Sequence, residues 1–188
     1  AKTICKRYKG NQAHAEYLEQ MAGKFFDLLQ KYHGLGERER LLLRLAAILH
    51  DCGKFISMSA PGECAYQIIM STEILGISHM EREMVASIVR YNTMELPNFN
   101  EFDGKLGNDE YLIVMKLAAI LRVCNALDRS HRQKFADMKL TIKDSNIVIT
   151  TAYPDNITLE KKTLQDKQDF FEEVYGLGFE IKQKKKKQ

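Results

Sequence analysis

Apolar residues recur every three or four positions through the N-terminal part of the chain, a spacing that predicts helices. The first such helix starts at Asn11, whose side chain suits a helix cap, and runs to about residue 32. Gly34 and Gly36 then stop it, because glycine readily takes the conformations that end a helix. The sequence therefore predicts an amphipathic helix in this region.

A second helix begins near Glu37 and becomes apolar nearly all round over residues 41–49. A helix of this kind belongs in the centre of a fold, since it has no face suited to water. It ends at residues 50–53, which read His-Asp-Cys-Gly, and Gly53 can supply the left-handed residue that closes many helices. A histidine and an aspartate are thus predicted at a buried helix terminus.

Two shorter helices follow, one over residues 61–71 and one running from Ser78 to Arg90. Ser78 and Glu81 have the spacing of a capping box, in which each side chain bonds to the other residue's backbone. Residues 93–107 contain proline and glycine without periodicity, which predicts a loop.

The longest helix is predicted to start at Asn108, with acidic residues in its first turn, as the helix dipole prefers. Its apolar positions cover a broad face, so we expect it to pack against the helix that ends at His50. Three cationic side chains are expected in its last turn: Arg129, His131 and Arg132.

The period changes beyond residue 135, where residues 138–142 and 147–151 alternate in the manner of strands around a short turn. A last helix is expected to open near Thr163, and residues 179–182 return as a strand. We therefore expect a helical domain, a small mixed subdomain and a basic disordered tail, over residues 1–134, 135–182 and 183–188 respectively.

Composition limits the class of protein. With 45% hydrophobic and 28% charged residues among 188, the chain should fold as a globular protein. The formal charge of +3 is more than accounted for by lysines near the C-terminus, so a basic field over the whole domain for nucleic acid is not expected. A local patch for polyanions remains open. The lysines concerned are Lys182, Lys184, Lys185, Lys186 and Lys187.

Other features indicate a cytoplasmic protein without a membrane span. The longest apolar run, residues 41–49, falls well short of the ~20 residues that a span needs, and no signal peptide is visible. The four cysteines are scattered and form no C-x-x-C pair, which is typical of reduced thiols. Because the chain starts at Ala1 and not at methionine, we expect a fragment of a longer protein.

Four residues combine the ligand types of a divalent metal site. His14 lies in the first turn of one helix, the pair His50 and Asp51 closes another, and Asp128 lies on the long helix. Imidazole and carboxylate groups bind such ions, and an ion lowers the pKa of bound water for attack on phosphate. A buried, hydrogen-bonded polar cluster is the alternative interpretation. The position expected for the fourth ligand holds the neutral amide of Asn125.

Residues 45–57, which read Leu-Ala-Ala-Ile-Leu-His-Asp-Cys-Gly-Lys-Phe-Ile-Ser, resemble the central motif of HD domains in the Ppx/GppA family of exopolyphosphatases and guanosine pentaphosphate phosphohydrolases. The resemblance continues through residues 78–83, residues 121–131 and the segment around residues 170–174. It implies a mainly α fold, an HD-like helical bundle, with a small C-terminal α+β subdomain.

In that family the phosphatase site lies in a pair of N-terminal actin-like domains, whose phosphate loops are absent from this sequence. The resemblance therefore implies an accessory domain that helps to bind the phosphate chain and contributes to dimer contacts. Cys64 and Asn92 stand where relatives often carry histidine, and Asn125 stands where a ligand aspartate is usual. A vestigial site for magnesium or manganese is the resulting interpretation.

Two functional hypotheses follow. In the first, the chain is a binding module of an exopolyphosphatase-like protein, inactive alone, that contacts polyphosphate or guanosine polyphosphate, the phosphatase domains of a parent chain and a second copy of itself. In the second, it is a free-standing metal-dependent phosphohydrolase acting on a nucleotide. A purely structural dimerisation domain is a third possibility. The candidate phosphate contacts are Lys54, Arg90, Arg129, His131 and Arg132.

Overall fold

The computed structural model describes residues 1–102 and 106–184, and this part of the chain is mainly helical with one small sheet. The mainly α fold with a small α+β part is thus confirmed. In chain order the elements are α1 (Lys2–Arg7), α2 (Gln12–Leu28), α3 (Gln30–His33), α4 (Glu37–Leu49), α5 (Pro61–Met70), α6 (His79–Arg90), α7 (Asn108–Leu127), β1 (Lys139–Lys143), β2 (Asn146–Thr151), α8 (Thr158–Tyr175) and β3 (Gly178–Gln183).

The predicted N-terminal caps of α2 and α6 are confirmed. The Asn11 side chain accepts a hydrogen bond from the backbone N–H of His14 at 3.1 Å. Ser78 Oγ accepts from Glu81 N at 3.2 Å, and the Glu81 carboxylate accepts from Ser78 N at 2.7 Å, which completes the capping box. Because Asn11 holds the start of α2, it also fixes the position of His14 in the first turn.

Helix α4 ends at Leu49 as expected, but the role predicted for Gly53 is wrong. Gly53 does not have a positive φ and lies in a 3-10 turn over Cys52–Phe55. A Cβ atom at this position would come within 1.9 Å of the Pro61 carbonyl oxygen and 2.5 Å of Ala65 N. Glycine is therefore required because the first turn of α5 packs directly on the backbone after the His50-Asp51 pair.

Helix α7 passes through the core and packs against α2, α4, α6 and α8, so the expected packing against the His50 helix is confirmed. The prediction that Arg129, His131 and Arg132 lie in its last turn is wrong, because the helix ends at Leu127. Its start is shifted too, since Gly107 occupies the cap position and Asn108 is the first helical residue.

The early end of α7 follows from its Asp128 cap. Asp128 has left the helical conformation, with φ −118° and ψ 34°, and its Oδ1 accepts a hydrogen bond from Gln133 N at 2.7 Å. His131 and Gln133 both have left-handed backbone conformations, with φ of 54° and 50°. The chain therefore turns sharply after Leu127, and this turn returns His131 towards α2.

The C-terminal sheet contains the predicted hairpin. Strands β1 and β2 pair antiparallel, and the two residues between them, Asp144 and Ser145, both have positive φ, as a tight hairpin turn requires. Strand β3 pairs parallel to β2. Helix α8 begins at Thr158, before the predicted start at Thr163, and the Asn156 side chain accepts from Thr158 N at 2.7 Å.

One hydrophobic core extends from the helices into the sheet and includes Phe135, Ile149 and Phe171, all fully buried. Strand β3 continues to Gln183, the first residue of the predicted tail, and residues 185–188 lie outside the described part of the chain. The division into domains stays a prediction. None of the described helices is both long and apolar enough to cross a lipid bilayer.

Candidate functional site

The His50 imidazole presents an unprotonated nitrogen to the interior of the protein. Its Nδ1–H donates to the carbonyl oxygen of Ala47 at 2.7 Å, so the proton lies on Nδ1 and Nε2 keeps its lone pair. Burial lowers the pKa of His50 to about 4, which keeps the ring neutral near pH 7. Nε2 is buried and has no hydrogen-bond partner among the described residues.

Asp51 lies beside that free nitrogen. Its Oδ1 is 3.2 Å from His50 Nε2 and 2.7 Å from Lys54 Nζ. Burial raises the pKa of Asp51, but positive charge around it, with the Lys54 ammonium in direct contact, holds it below the ordinary value overall. The contact with His50 joins two atoms without protons and is not a hydrogen bond. Two acceptors this close repel each other unless a cation or a proton lies between them.

His14 has the same arrangement as His50. Its Nδ1 donates to Asp128 Oδ2 at 2.7 Å, and both side chains are 1% exposed. Its Nε2 is buried and has no partner among the described residues, and its ring lies edge-on to that of His50, with centroids 5.0 Å apart. A hydrogen bond from Nδ1 to a carboxylate or carbonyl, with Nε2 left free, is the usual state of a metal-binding histidine.

Asp128 is an orienting group in this arrangement. One of its oxygens accepts from His14 and the other accepts from Gln133 N. Asn125, the position expected for a ligand, lines a different cavity and makes no described contact with His14. Of the four predicted metal-type residues, His14, His50 and Asp51 therefore offer free donor atoms, and Asp128 holds one of them in place.

His131 also belongs to this cluster, which sequence reasoning did not foresee. Its ring stacks on that of His14 with centroids 3.9 Å apart, and donor atoms of His14, Asp51 and His131 all lie within 4.8 Å of one another. Burial and the nearby His14 lower the pKa of His131. One ring nitrogen, Nδ1, already lies 3.4 Å from the Asn11 amide nitrogen. We call His14, His50, Asp51, Asp128 and His131 the histidine cluster.

Comparison with known protein families places this geometry in context. Residues 1–169 match the family model described as Ppx/GppA phosphatase, domain III. The chain belongs to the Ppx/GppA phosphatase family. A search of curated proteins gave no match. The family suggested by residues 45–57 is thus confirmed over most of the chain, and this domain III is the accessory region of that phosphatase family.

The five residues predicted to contact phosphate lie at several different places in this domain III. Lys54 and His131 lie at the histidine cluster, and Arg90 pairs with Glu63 at 2.8 Å. Arg129 lines a cavity of about 340 Å³, and Arg132 lines another of about 420 Å³ beside Lys134. Only Lys54 and His131 are therefore close to the free nitrogens of His14 and His50.

Cys64, Asn92 and Asn125, the three positions at which this Ppx/GppA domain differs from its relatives, lie at two different places in the structure. Asn92 and Asn125 both line the cavity that contains Arg129, whereas Cys64 is a half-buried free thiol on α5. Asn92 is 2% exposed, and neither atom of its amide has a partner among the described residues. The two asparagines thus form part of a second polar cavity.

Proposed function

We propose that this chain is an accessory domain of a Ppx/GppA phosphatase that binds a phosphate chain, polyphosphate or guanosine polyphosphate, and presents it to phosphatase domains of a parent chain. The histidine cluster is proposed to hold a divalent ion, magnesium or manganese, that contacts the phosphate. The observation that carries this proposal is the 3.2 Å contact between two unprotonated acceptors, His50 Nε2 and Asp51 Oδ1, in a buried site.

The residues present fit such an ion. His14 and His50 offer buried Nε2 atoms without partners, and Asp51 adds a carboxylate oxygen. A mixed nitrogen and oxygen donor set suits manganese, which accepts both, whereas magnesium prefers oxygen. When bound, the ion would supply positive charge that polarises a phosphoryl oxygen. Lys54 adds a second positive charge beside the same carboxylate, where phosphate oxygens can accept its N–H bonds.

The binding of polyphosphate is tested by calorimetric titration of the long-chain polymer into the protein, with and without manganese. Binding should weaken in Lys54→Ala, because the cation removed from beside Asp51 loses its attraction to the polyanion. Lys139→Ala removes the same charge from the exposed face of the hairpin and should change the affinity less. Absent binding, or equal losses in the two variants, would contradict the proposal.

A second candidate function is metal-dependent phosphohydrolysis by this chain itself. It is favoured by the hydrogen bond between Asp128 and His14, since a carboxylate behind a histidine fixes the tautomer and ring orientation that a metal ligand needs. Phosphate release from a guanosine polyphosphate in manganese tests it. Turnover that is lost in Asp51→Ala would establish hydrolysis, whereas the binding function predicts no turnover in either protein.

We also propose that two copies of the chain associate through the segment after the His50-Asp51 pair. Phe55, Ile56 and Met58 are each more than half exposed, which is unusual for a group of large apolar side chains. Sedimentation should show a dimer that dissociates in the variant Ile56→Ser, Met58→Ser. The control Leu75→Ser removes an apolar side chain that is 89% exposed elsewhere, and it should leave the dimer intact.

A further inference from the structure

The geometry points to a second anion site outside the histidine cluster. We propose that the cavity between the C-terminal end of α6, α7 and α8 binds a single phosphate group with one protonated oxygen, as in orthophosphate or the end of a chain. We call it the asparagine cavity, after Asn92 and Asn125, which line it with Arg122, Arg129 and Lys167. The inference rests on the proposed function in its class of ligand, but it concerns different residues.

Asn92 is the first observation that indicates a ligand. Its side chain lines the cavity at 2% exposure, and both Nδ2 and Oδ1 lack a hydrogen-bond partner among the described residues. A buried amide without partners is unfavourable, because the protein does not replace the hydrogen bonds that water made in the unfolded chain. A ligand that both accepts from Nδ2 and donates to Oδ1 would satisfy the whole amide.

Arg122 supplies a fixed positive charge at the same cavity. Its Nε donates to the Tyr91 carbonyl at 2.6 Å, Nη2 donates to the Met94 carbonyl, and the guanidinium lies 4.3 Å from the centre of the Phe170 ring. These contacts hold the group in one orientation and leave its Nη1 without a described partner. A buried cation that is already oriented binds an anion at little cost in side-chain entropy.

Two further cations complete the charge of the asparagine cavity. Arg129 and Lys167 line it, and neither has an ion-pair partner in the described part of the chain. Asp166 lies at the same cavity and opposes them with one negative charge. Three positive charges against one favour an anion, and the cavity volume of about 340 Å³ is ample for a phosphate group.

The Asn92 oxygen selects among anions. Orthophosphate near neutral pH carries at least one hydroxyl and the terminal group of a chain carries one in part of its population, whereas sulfate and the internal phosphates of a chain carry none. Only a phosphate group that carries a hydroxyl can donate a hydrogen bond to Asn92 Oδ1. The cavity should therefore prefer orthophosphate, or the terminal group of a chain, over sulfate of similar size.

Calorimetric titration of the 188-residue chain with orthophosphate and with sulfate tests the site. Orthophosphate should bind roughly tenfold more tightly than sulfate, the factor expected for one hydrogen bond to a charged group. In Asn92→Leu, which keeps the side-chain size, orthophosphate binding should be lost while the melting temperature does not fall. Equal affinities for the two anions, or unchanged binding in Asn92→Leu, would overturn the inference.

Two substitutions of charged residues at the cavity should change the affinity for orthophosphate in opposite directions. Asp166→Asn removes the opposing charge and should tighten orthophosphate binding by severalfold, whereas Arg129→Gln should weaken it. Asp169→Asn removes the same charge about one turn further along α8, at a residue outside this cavity, and should have little effect. If Asp166→Asn weakens binding, or if Asp169→Asn acts as strongly, the cavity is not the site.

Two further ligands distinguish whether the cavity binds free orthophosphate or the end of a phosphate chain. Linear tripolyphosphate has terminal groups and cyclic trimetaphosphate has none, so binding of the linear form alone would identify the chain end. Binding of orthophosphate but of neither longer ligand would identify the free ion. Cyclic trimetaphosphate that binds as tightly as the linear form would overturn the inference.

Long-chain polyphosphate separates this inference from the proposed function. If long chains bind equally well to wild type and to Asn92→Leu and orthophosphate does not bind, the asparagine cavity is not a phosphate site and the proposed function stands. If orthophosphate binds and long chains do not, the proposed function fails and the cavity site remains.

Discussion

His14 Nδ1 lies 2.7 Å from Asp128 Oδ2 in the interior of the domain, although the two residues are 114 positions apart. This contact joins the first turn of α2 to the end of α7. It fixes the proton of His14 on Nδ1 and leaves Nε2 without a partner, as the Ala47 carbonyl does for His50. Two free imidazole nitrogens beside Asp51 are the result, and the proposed metal site depends on them.

Asp128→Asn tests the orienting role. An amide has one acceptor oxygen, so it cannot serve both His14 and Gln133 N, and the His14 proton is free to move to Nε2. We expect manganese affinity to fall about 10- to 100-fold and the free energy of unfolding to fall by about 1–3 kcal/mol. Calorimetric metal titration and urea unfolding measure the two effects.

Asp137→Asn is the matched control for this change. Asp137 also accepts two hydrogen bonds, from Thr151 Oγ1 and Ala152 N, but it lies at the sheet and away from the histidine cluster. It should lower stability and leave the metal affinity unchanged. Metal affinity that is equal in wild type and Asp128→Asn would show that Asp128 does not orient a ligand.

The helices were predictable where local signals determine them. Asn11 and Ser78 cap their helices through bonds to residues three positions away, and the apolar pattern of α4 and α7 reflects their central packing. The end of α7 was not predictable from periodicity, because apolar spacing alone does not mark where a helix stops. Asp128 ends it through a hydrogen bond to Gln133 N, and this bond depends on the turn that follows.

Only part of the candidate site could be foreseen from the sequence. His14, His50 and Asp51 were found because their residue types and positions near helix termini are those of metal ligands. The sequence predicts His131 only at a helix end, since nothing local shows that its left-handed backbone turns its ring onto His14. The short spacing between Asp128 and His131, once the helix is known to end at Leu127, was the signal that could have indicated it.

Gly53→Ala should destabilise the domain strongly. The added Cβ would meet backbone atoms of Pro61 and Ala65, which cannot move without displacing α5. We expect the free energy of unfolding to fall by about 1–3 kcal/mol or more, the range for overpacking. Urea unfolding provides the measurement.

Gly23→Ala is the control for that substitution. Gly23 lies within α2, where a Cβ would meet only the end of the flexible Arg40 side chain at 3.2 Å. Alanine within a helix is favoured over glycine by about 0.5–1 kcal/mol, so this variant should be as stable as wild type or more stable. A Gly53→Ala protein as stable as the Gly23→Ala protein would contradict the close packing of α5.

The stability of the folded protein should depend on pH through the ionisation of Glu81. The hydrogen bond from Arg38 and the backbone of Ser78 lower the pKa of Glu81 from an ordinary 4.5 to about 2. Because the folded pKa is the lower one, the stabilisation is complete above about pH 4.5 and is lost as the pH falls towards 2. Arg38 is half exposed, so solvent screening limits the effect to about 1 kcal/mol.

Urea unfolding of wild type and Glu81→Gln at several pH values checks this prediction. The difference in stability should be present at pH 7 and should shrink progressively in the acid range between pH 4.5 and 2. Glu73→Gln changes an exposed carboxylate that makes no described ion pair and should have little effect at either end. A difference between wild type and Glu81→Gln that stays constant over the whole range would be inconsistent with the lowered pKa.

The proposed function depends on a divalent ion at the histidine cluster, and elemental analysis tests this most directly. Protein purified without chelator and dialysed against manganese should retain stoichiometric metal, while Asp51→Ala treated in the same way should retain almost none. Asp137→Asn, treated identically, should retain the wild-type amount. Wild-type protein that holds no metal, or an Asp51→Ala protein that holds as much as wild type, would contradict a metal centre at His14, His50 and Asp51.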